Sequence, residues 1–379
     1  MSDPKLTVLQ LLPSLESGGV ERGTLEVAGE LVRCGHRSLV ISSGGRMVEA
    51  LERAGSAHIT WDIGTKSPLA LRFVPRLRRL LTEQHIDIVH ARSRLPAWVA
   101  YLAWRGMDPA TRPRFVTTVH GLYSVNRYSA VMMRGERIIA VSNTAREYVL
   151  TNYPQVDASR IVVIPRGVDP QEFPYGYRPS AQWLATWYAQ YPYLKNKFVI
   201  TLPGRLTRLK GHEDFITLMS KLKAAGLAVH GLIVGGEDPK RKAYARALHA
   251  RVEIEDLRAT ISFTGRRDDI RDVYAASGLV LSLASQPESF GRAVLEPLRL
   301  GVPTIGYDHG GVGEILAALY PEGRTRAADT MALFEKVAAF VRDTPPVPDR
   351  PLFDLREMLD KTLALYAEIG VREQFSLIF

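Results

Sequence analysis

Short apolar runs alternate with stretches of helical periodicity along the whole chain. In the first half the runs are residues 6–12, 38–42, 86–90, 115–119, 138–141 and 161–164. In the second half they are 198–202, 229–234, 259–263, 279–283 and 304–307. Most are rich in valine and isoleucine and too short for helices, as expected of strands buried on both faces of a parallel sheet. Between the first two runs, Val20, Thr24, Val27, Ala28 and Leu31 share one face of a helix that stops near Gly35. This alternation predicts doubly wound α/β units, and the two series predict two Rossmann-like domains joined near residues 170–197. The joint carries several prolines and an aromatic-rich helix (Trp183, Trp187, Tyr188, Tyr191, Tyr193) whose rings are expected to pack together. A second proline cluster, 344–351, precedes a last helix over 354–369. Ligands of open parallel sheets sit beyond the carboxyl ends of the strands. Two facing domains would therefore hold theirs in the cleft between them.

Composition narrows the class. The chain has 379 residues, 46% hydrophobic and 23% charged, which excludes extensive disorder. Its one cysteine, Cys34, excludes an intrachain disulfide and a cysteine metal cage, and suits a reducing compartment. No apolar run reaches the roughly 20 residues of a membrane span. Residues 6–15 are interrupted by Gln10 and Pro13 and read as a first strand, not a signal peptide.

The charge is concentrated. Residues 66–137 hold 13 basic and 4 acidic side chains, an excess equal to the +9 of the whole chain. Within this window the stretch 71–81 interleaves Arg72, Arg76, Arg78 and Arg79 with apolar residues, a pattern suited to a helix lying on anionic headgroups. An anionic partner is expected here, and membrane lipid ranks above nucleic acid because no recognition helix or stacking platform is visible.

Three glycine-rich segments carry candidate chemistry. Gly18-Gly19-Val20-Glu21 follows the first run and opens a helix, where free amides favour anions. It is not the G-x-G-x-x-G fingerprint, which neither half contains, and this argues against an NAD oxidoreductase. Residues 204–212 place Arg205 and Lys210 between a strand end and a helix start, a setting that suits a diphosphate. Residues 286–297 place Glu288 and Glu296 eight apart around Gly291, so two carboxylates can hydrogen-bond sugar hydroxyls while a helix N-terminus takes phosphate. A further turn, 310–314, is also glycine-rich. Asp268-Asp269 reads as a helix start and not as a metal-binding D-x-D element.

Together these segments resemble the retaining nucleotide-sugar glycosyltransferases of family 4. The pieces occur in family order: Gly18-Gly19-x-Glu21, Thr118-Val119-His120-Gly121, Val141-Ser142-Asn143, Ile164-Pro165-Arg166-Gly167-Val168-Asp169, Gly204-Arg205 with Lys210-Gly211, and Glu288 to Glu296 with the family's seven-residue spacing. The chain departs from the family pattern at Arg166, commonly Asn, and at Arg92-Ser93-Arg94, where a second His-containing pattern is usual. These departures bear on the acceptor more than on the donor.

The resemblance implies a GT-B fold. It implies an acceptor-side domain over 1–170, a donor domain over 171–353, and a helix and tail over 354–379 that pack back on the N-terminal domain. Arg205 and Lys210 would hold the donor pyrophosphate, Glu288 the transferred sugar and Glu296 the ribose. Gly18 and Gly19 would lie against the phosphates, with Ser289, Phe290 and Gly291 also on the donor. His120 would stand near the donor sugar and the acceptor hydroxyl, and Arg266 would read the base. The reaction implied is a transfer with retained configuration, needing no metal and no cofactor. Its partners would be a nucleotide sugar, with UDP the best guess for the base, and a glycan or lipid-linked acceptor. The implied setting is lipopolysaccharide or cell-envelope synthesis, on the inner face of the cytoplasmic membrane. The rival readings are a UDP-sugar 2-epimerase of the same fold and an inactive nucleotide-sugar-binding partner. The epimerase would release UDP without an added acceptor.

Overall fold

A computed structural model describes residues 5–16, 18–65, 67–237 and 242–370. The chain divides into two compact units, one formed by residues 1–167 with 355–379 and the other by 168–354.

The first unit is a seven-stranded parallel sheet. Its strands are β1 (Thr7–Leu11), β2 (Arg37–Ser42), β3 (Ala57–Thr60), β4 (Ile88–Ala91), β5 (Arg114–Val119), β6 (Arg137–Ala140) and β7 (Ile161–Val163), in the spatial order 3-2-1-4-5-6-7. Its crossover helices are α1 (Gly19–Arg33), α2 (Val48–Arg53), α3 (Phe73–Glu83), α4 (Arg94–Arg105) and α5 (Asn143–Asn152). Every residue of β4 is buried, as are all but the first residues of β2 and β5, because helices cover both faces. The edge strand β3 carries no continuous apolar run and is half exposed, so periodicity alone did not reveal it.

The second unit repeats the plan with six parallel strands: β8 (Phe198–Pro203), β9 (Val229–Val234), β10 (Ile261–Gly265), β11 (Leu279–Ser282), β12 (Thr304–Tyr307) and β13 (Arg324–Thr325), in the order 10-9-8-11-12-13. Its helices are α6 (Ala181–Gln190), α7 (His212–Ala224), α8 (Lys242–Ile254), α9 (Ile270–Ala275), α10 (Arg292–Arg299), α11 (Gly310–Leu319) and α12 (Thr330–Arg342). The aromatic helix α6 packs. Trp187 and Tyr191 join Leu194, Val199, Leu232, Val234 and Val273 in one buried cluster, and Trp183 stacks on Trp187 at 5.0 Å.

The last helix, α13 (Leu355–Gly370), belongs to the first unit. Met358, Leu359, Leu365, Tyr366 and Ile369 enter a core with Val8, Val27, Leu31, Ile88 and Val116. A polar lock reinforces this packing. His90, fully buried in β4, bonds Tyr366 Oη through Nδ1 and Thr118 Oγ1 through Nε2, each at 2.6 Å.

Each sheet reverses its strand order beside its first strand, between β1 and β4 and between β8 and β11. Crevices for ligands open at such points beyond the carboxyl ends of the strands.

The histidine environments set a pH dependence of stability. Burial, then the charges of Arg92 and Arg166, hold His90 well below the ordinary imidazole range. Burial, then Lys197, pushes His230 down to about 4. Each of these histidines stays neutral in the fold while the unfolded chain protonates near about pH 6.5. A depressed folded-state pKa means that the unfolded state binds the extra proton, so stability is intact above that pH and falls as pH drops below it. Denaturation midpoints should therefore decline between about pH 7 and pH 5, and His230→Gln should make the decline shallower. An unchanged slope in the variant would remove His230 from the groups responsible.

Candidate active site

The second unit builds a cavity at its switch point. β8 ends in Pro203, and the chain turns at Gly204, whose φ is +145°. Residues 204–211 are then stitched to two neighbouring strand ends. Gly204 N donates to Val234 O at 2.8 Å and Leu206 N to Gly236 O at 3.1 Å, which ties the loop to the end of β9. Ser285 N donates to Leu209 O at 3.0 Å, which ties it to the end of β11. Two glycines allow this closeness. A Cβ on Gly211 would lie 1.9 Å from Leu283 O, and one on Gly235 would lie 1.9 Å from Gly204 O.

Between these loops lies a cavity of about 320 Å3 lined by Arg205, Thr207, Lys210, Gln286, Pro287 and Glu288, among others. Lys210 Nζ and Glu288 Oε1 are 2.5 Å apart across it. Three of the residues singled out in the sequence therefore share one wall-to-wall space. The Glu288 backbone is fixed in turn, because its carbonyl accepts from Gly311 N at 2.7 Å. Gly291, at φ +140°, opens α10 with no side-chain cap, which leaves the helix start able to receive an anion. Phe290 is buried against the start of α11, where a Cβ on Gly311 would come within 2.4 Å of it, and Ser289 is half-buried.

Glu296 and Arg266 are placed differently. Glu296 does not line this cavity. It lies one turn along α10, mostly buried and paired with Arg292 at 2.9 Å. Arg266 follows β10, pairs with Asp268 at 2.7 Å and stands beside Gly236. Thr207, Gln286 and the Gly235-Gly236 doublet were not singled out in the sequence. The doublet carries the same signal as Gly18-Gly19, a glycine pair just beyond a strand. His309 was missed as well. It precedes α11 and donates from Nε2 to Ala284 O at 2.9 Å, bracing the same loop.

The first unit places the remaining candidates at the carboxyl edge of its own sheet. Gly18, at φ +142°, is the N-cap of α1 and Gly19 is its first residue. The Glu21 carboxylate folds back on Gly18, with Oε2 2.7 Å from where a Cβ would stand. His120 directly follows β5, and Arg166 Nη2 lies 2.8 Å from its Nδ1. A guanidinium cannot accept, so Nδ1 must, and the proton of the neutral ring sits on Nε2. Burial, reinforced by Arg166, Arg92 and His90, holds His120 well below the usual range and keeps the ring neutral. His120 can thus donate a hydrogen bond from Nε2. Among the described residues, no group of three or more His, Cys, Asp or Glu side chains is arranged to hold a metal ion.

The structure revises the reading of the basic window. Phe73, Leu77 and Leu81 of α3 are buried within the unit and are not available to a bilayer. Arg72 and Arg76 lie over Phe73 at 5.0 and 5.8 Å, and Arg76 also over Trp61 at 4.9 Å, so their stems cover this unit's own rings. Leu69 and Leu71 remain exposed, at 66% and 53%. Arg114 and Arg137 open β5 and β6 at the opposite edge of the sheet, paired with Glu136 at 3.4 Å and Glu368 at 2.9 Å. Arg92 is buried, and Lys66 lies outside the described residues. No helix among the described residues is long and apolar enough to cross a membrane.

Comparison with known proteins agrees with this arrangement. Residues 17–172 match the family model of Glycosyltransferase Family 4, and residues 186–350 match that of Glycosyl transferases group 1. A glycosyltransferase from Rickettsia africae ESF-5, known from its crystal structure, is 30% identical and superposes with a TM-score of 0.83 over 96% of this chain and 98% of that one. The N-acetyl-alpha-D-glucosaminyl L-malate synthase of Bacillus anthracis is 26% identical over 385 residues, covering 96% of this chain and 91% of its own length. Anabaena Alr3699/HepE, solved in complex with UDP-glucose, is 20% identical with a TM-score of 0.81 over 96% of this chain and 100% of that one, a likeness of fold. Two doubly wound parallel sheets in series, both family models and a near-full-length relative at 30% identity place the chain in glycosyltransferase family 4, with the GT-B fold.

Proposed function

We propose that this glycosyltransferase moves a sugar, with retention, from a UDP-sugar to a hydroxyl of a glycan or lipid-linked glycan in lipopolysaccharide or cell-envelope synthesis. The observation that carries this reading is the meeting of Arg205, Lys210 and Glu288 in one cavity at the switch point of the second sheet. The UDP-glucose bound by the Anabaena protein supports the choice of donor.

The chemistry follows from charge. The bond from the sugar's anomeric carbon to the diphosphate breaks, and negative charge gathers on the departing phosphate. Arg205 and Lys210, which line the cavity, would meet it with positive charge, and so would the uncapped start of α10 beyond Glu288. These groups act where other transferases use a metal, and the reaction is proposed to need none. In the free protein Lys210 is neutralised by Glu288. A diphosphate would take Lys210 from that pair and release Glu288 to the sugar hydroxyls. The acceptor hydroxyl forms the new bond on the face that the phosphate leaves, and its proton passes to that phosphate. His120, neutral and protonated on Nε2, is suited to donate to a sugar or acceptor oxygen.

The acceptor is proposed to arrive at the cytoplasmic membrane's inner face, which the protein would meet reversibly. Leu69 and Leu71 are exposed, and the exposed Arg72, Arg76 and Arg79 follow them closely in the sequence, which supports this. Each basic residue near an anionic surface contributes about 1 kcal/mol, screened within about 10 Å at 0.1 M salt.

Two measurements test these readings. In a thermal-shift panel of UDP, GDP, ADP and dTDP, UDP should stabilise the wild type most, by about 2.7 kcal/mol at about 100 times its Kd. Arg205→Ala/Lys210→Ala should abolish that shift and lower turnover by about 10²–10³. A double variant that binds and turns over like the wild type would overturn the donor site. In vesicle co-sedimentation at low salt, the wild type should bind anionic lipid and Arg72→Glu/Arg76→Glu/Arg79→Glu should not. Equal binding by both, or none by the wild type, would remove the membrane contact.

A further inference from the structure

His212 is the first residue of α7, directly after Lys210-Gly211, and it is fully buried. Buried polar side chains are ordinarily hydrogen-bonded, and each exception calls for a reason. Among the described residues neither Nδ1 nor Nε2 of this ring makes a formed hydrogen bond. Tyr244, of α8, meets the ring edge-on at 6.2 Å, and its own buried hydroxyl is unpartnered as well. An apolar side chain would leave no polar atom unmet at position 212, so packing alone does not account for the imidazole.

The ring faces the loop that carries Arg205 and Lys210. Burial holds His212 below the ordinary imidazole range, helped by the charge of Lys210 and opposed by the carbonyls of Thr207 and Gly204. Those two carbonyls stand on either side of Arg205 in the chain. The neutral ring has one N–H, which can go to either carbonyl but not to both. The rest of the loop is already tied down. Gly204 N and Leu206 N donate to the end of β9, and Leu209 O accepts from Ser285 N beyond β11. Lys210 N closes the turn on Thr207 O at 3.1 Å. The Lys210 stem lies back over Gly204, where a Cβ would stand 3.2 Å from its Cγ and Cδ. A shift of either carbonyl therefore moves Arg205 and Lys210 together.

We propose that His212 is a positioning residue for this loop, its N–H holding the carbonyl of Gly204 or Thr207 and so fixing where Arg205 and Lys210 meet a diphosphate. His212 does not line the cavity and acts through the backbone that carries the two cations. In naming a diphosphate, the proposal rests on the transferase reading above.

Two variants of the full chain test it. His212→Leu removes both ring nitrogens and keeps apolar bulk, and His212→Gln returns a side-chain N–H. Leucine should leave the thermal midpoint unchanged or raised, because it buries no unmet polar atom. Amide exchange read by mass spectrometry should nevertheless quicken about tenfold over residues 204–210, with β8 unaltered. UDP affinity measured by calorimetry should fall about tenfold, as expected for one lost hydrogen bond. Glutamine should recover most of both losses. A histidine that serves packing alone predicts the reverse, a lower midpoint with leucine and wild-type loop exchange in the folded protein. A leucine variant that fails to fold or melts lower overturns the proposal. So does one whose loop exchange and UDP affinity match the wild type, or a glutamine variant as impaired as the leucine one. The exchange comparison uses no nucleotide. Should the wild type bind none of UDP, GDP, ADP and dTDP, the donor reading fails, and loop exchange still decides whether His212 anchors the loop.

Discussion

The cavity of the second unit depends on one backbone contact, the approach of Gly211 to the Leu283 carbonyl at the end of β11. A Cβ at Gly211 would sit 1.9 Å from that oxygen, and the residue's φ of +73° is itself unfavourable for other residues. Because the two loops can close on each other there, Arg205 and Lys210 from one strand end face Glu288 from another. Gly235 performs the same service on the other side, against Gly204. Parallel strand order brings β8 beside β11, and glycine lets the loops beyond them touch.

The first unit solves a different electrostatic problem. Its carboxyl edge gathers Arg92 and Arg166 with two histidines that their environment keeps neutral. His90 is structural, a lock between β4, β5 and α13 through Thr118 and Tyr366. His120, one residue beyond β5, is oriented by Arg166 so that its proton faces away from the guanidinium. Two histidines at equivalent strand ends therefore differ in what their ring nitrogens meet.

The excess positive charge behaves less uniformly than its concentration in the sequence suggests. Part of it is internal, in Arg92. Part pairs with acids at the amino ends of β5 and β6, and part covers Trp61 and Phe73. A net charge counts side chains, whereas an interaction surface depends on which of them reach solvent on the same face.

Much of the fold was legible in the sequence. The valine- and isoleucine-rich runs mark eleven strands because burial on both faces demands continuous apolar residues. The exceptions, β3 and β13, are edge strands with little apolar sequence to announce them. Glycines beyond strand ends marked the loops that line the second unit's cavity, and Arg205, Lys210 and Glu288 were visible as charges within those loops. The Lys210–Glu288 pair was not visible, because its members are 78 residues apart and meet only when β8 and β11 become neighbours. The burial of Arg92 and Arg166 was hidden too, since an arginine beyond a strand reads as a surface charge. Local pattern determines strands, helices and turns because it acts through near neighbours. The partners of a charged side chain were decided by the tertiary structure, because the order of strands in a sheet sets which distant loops share a space.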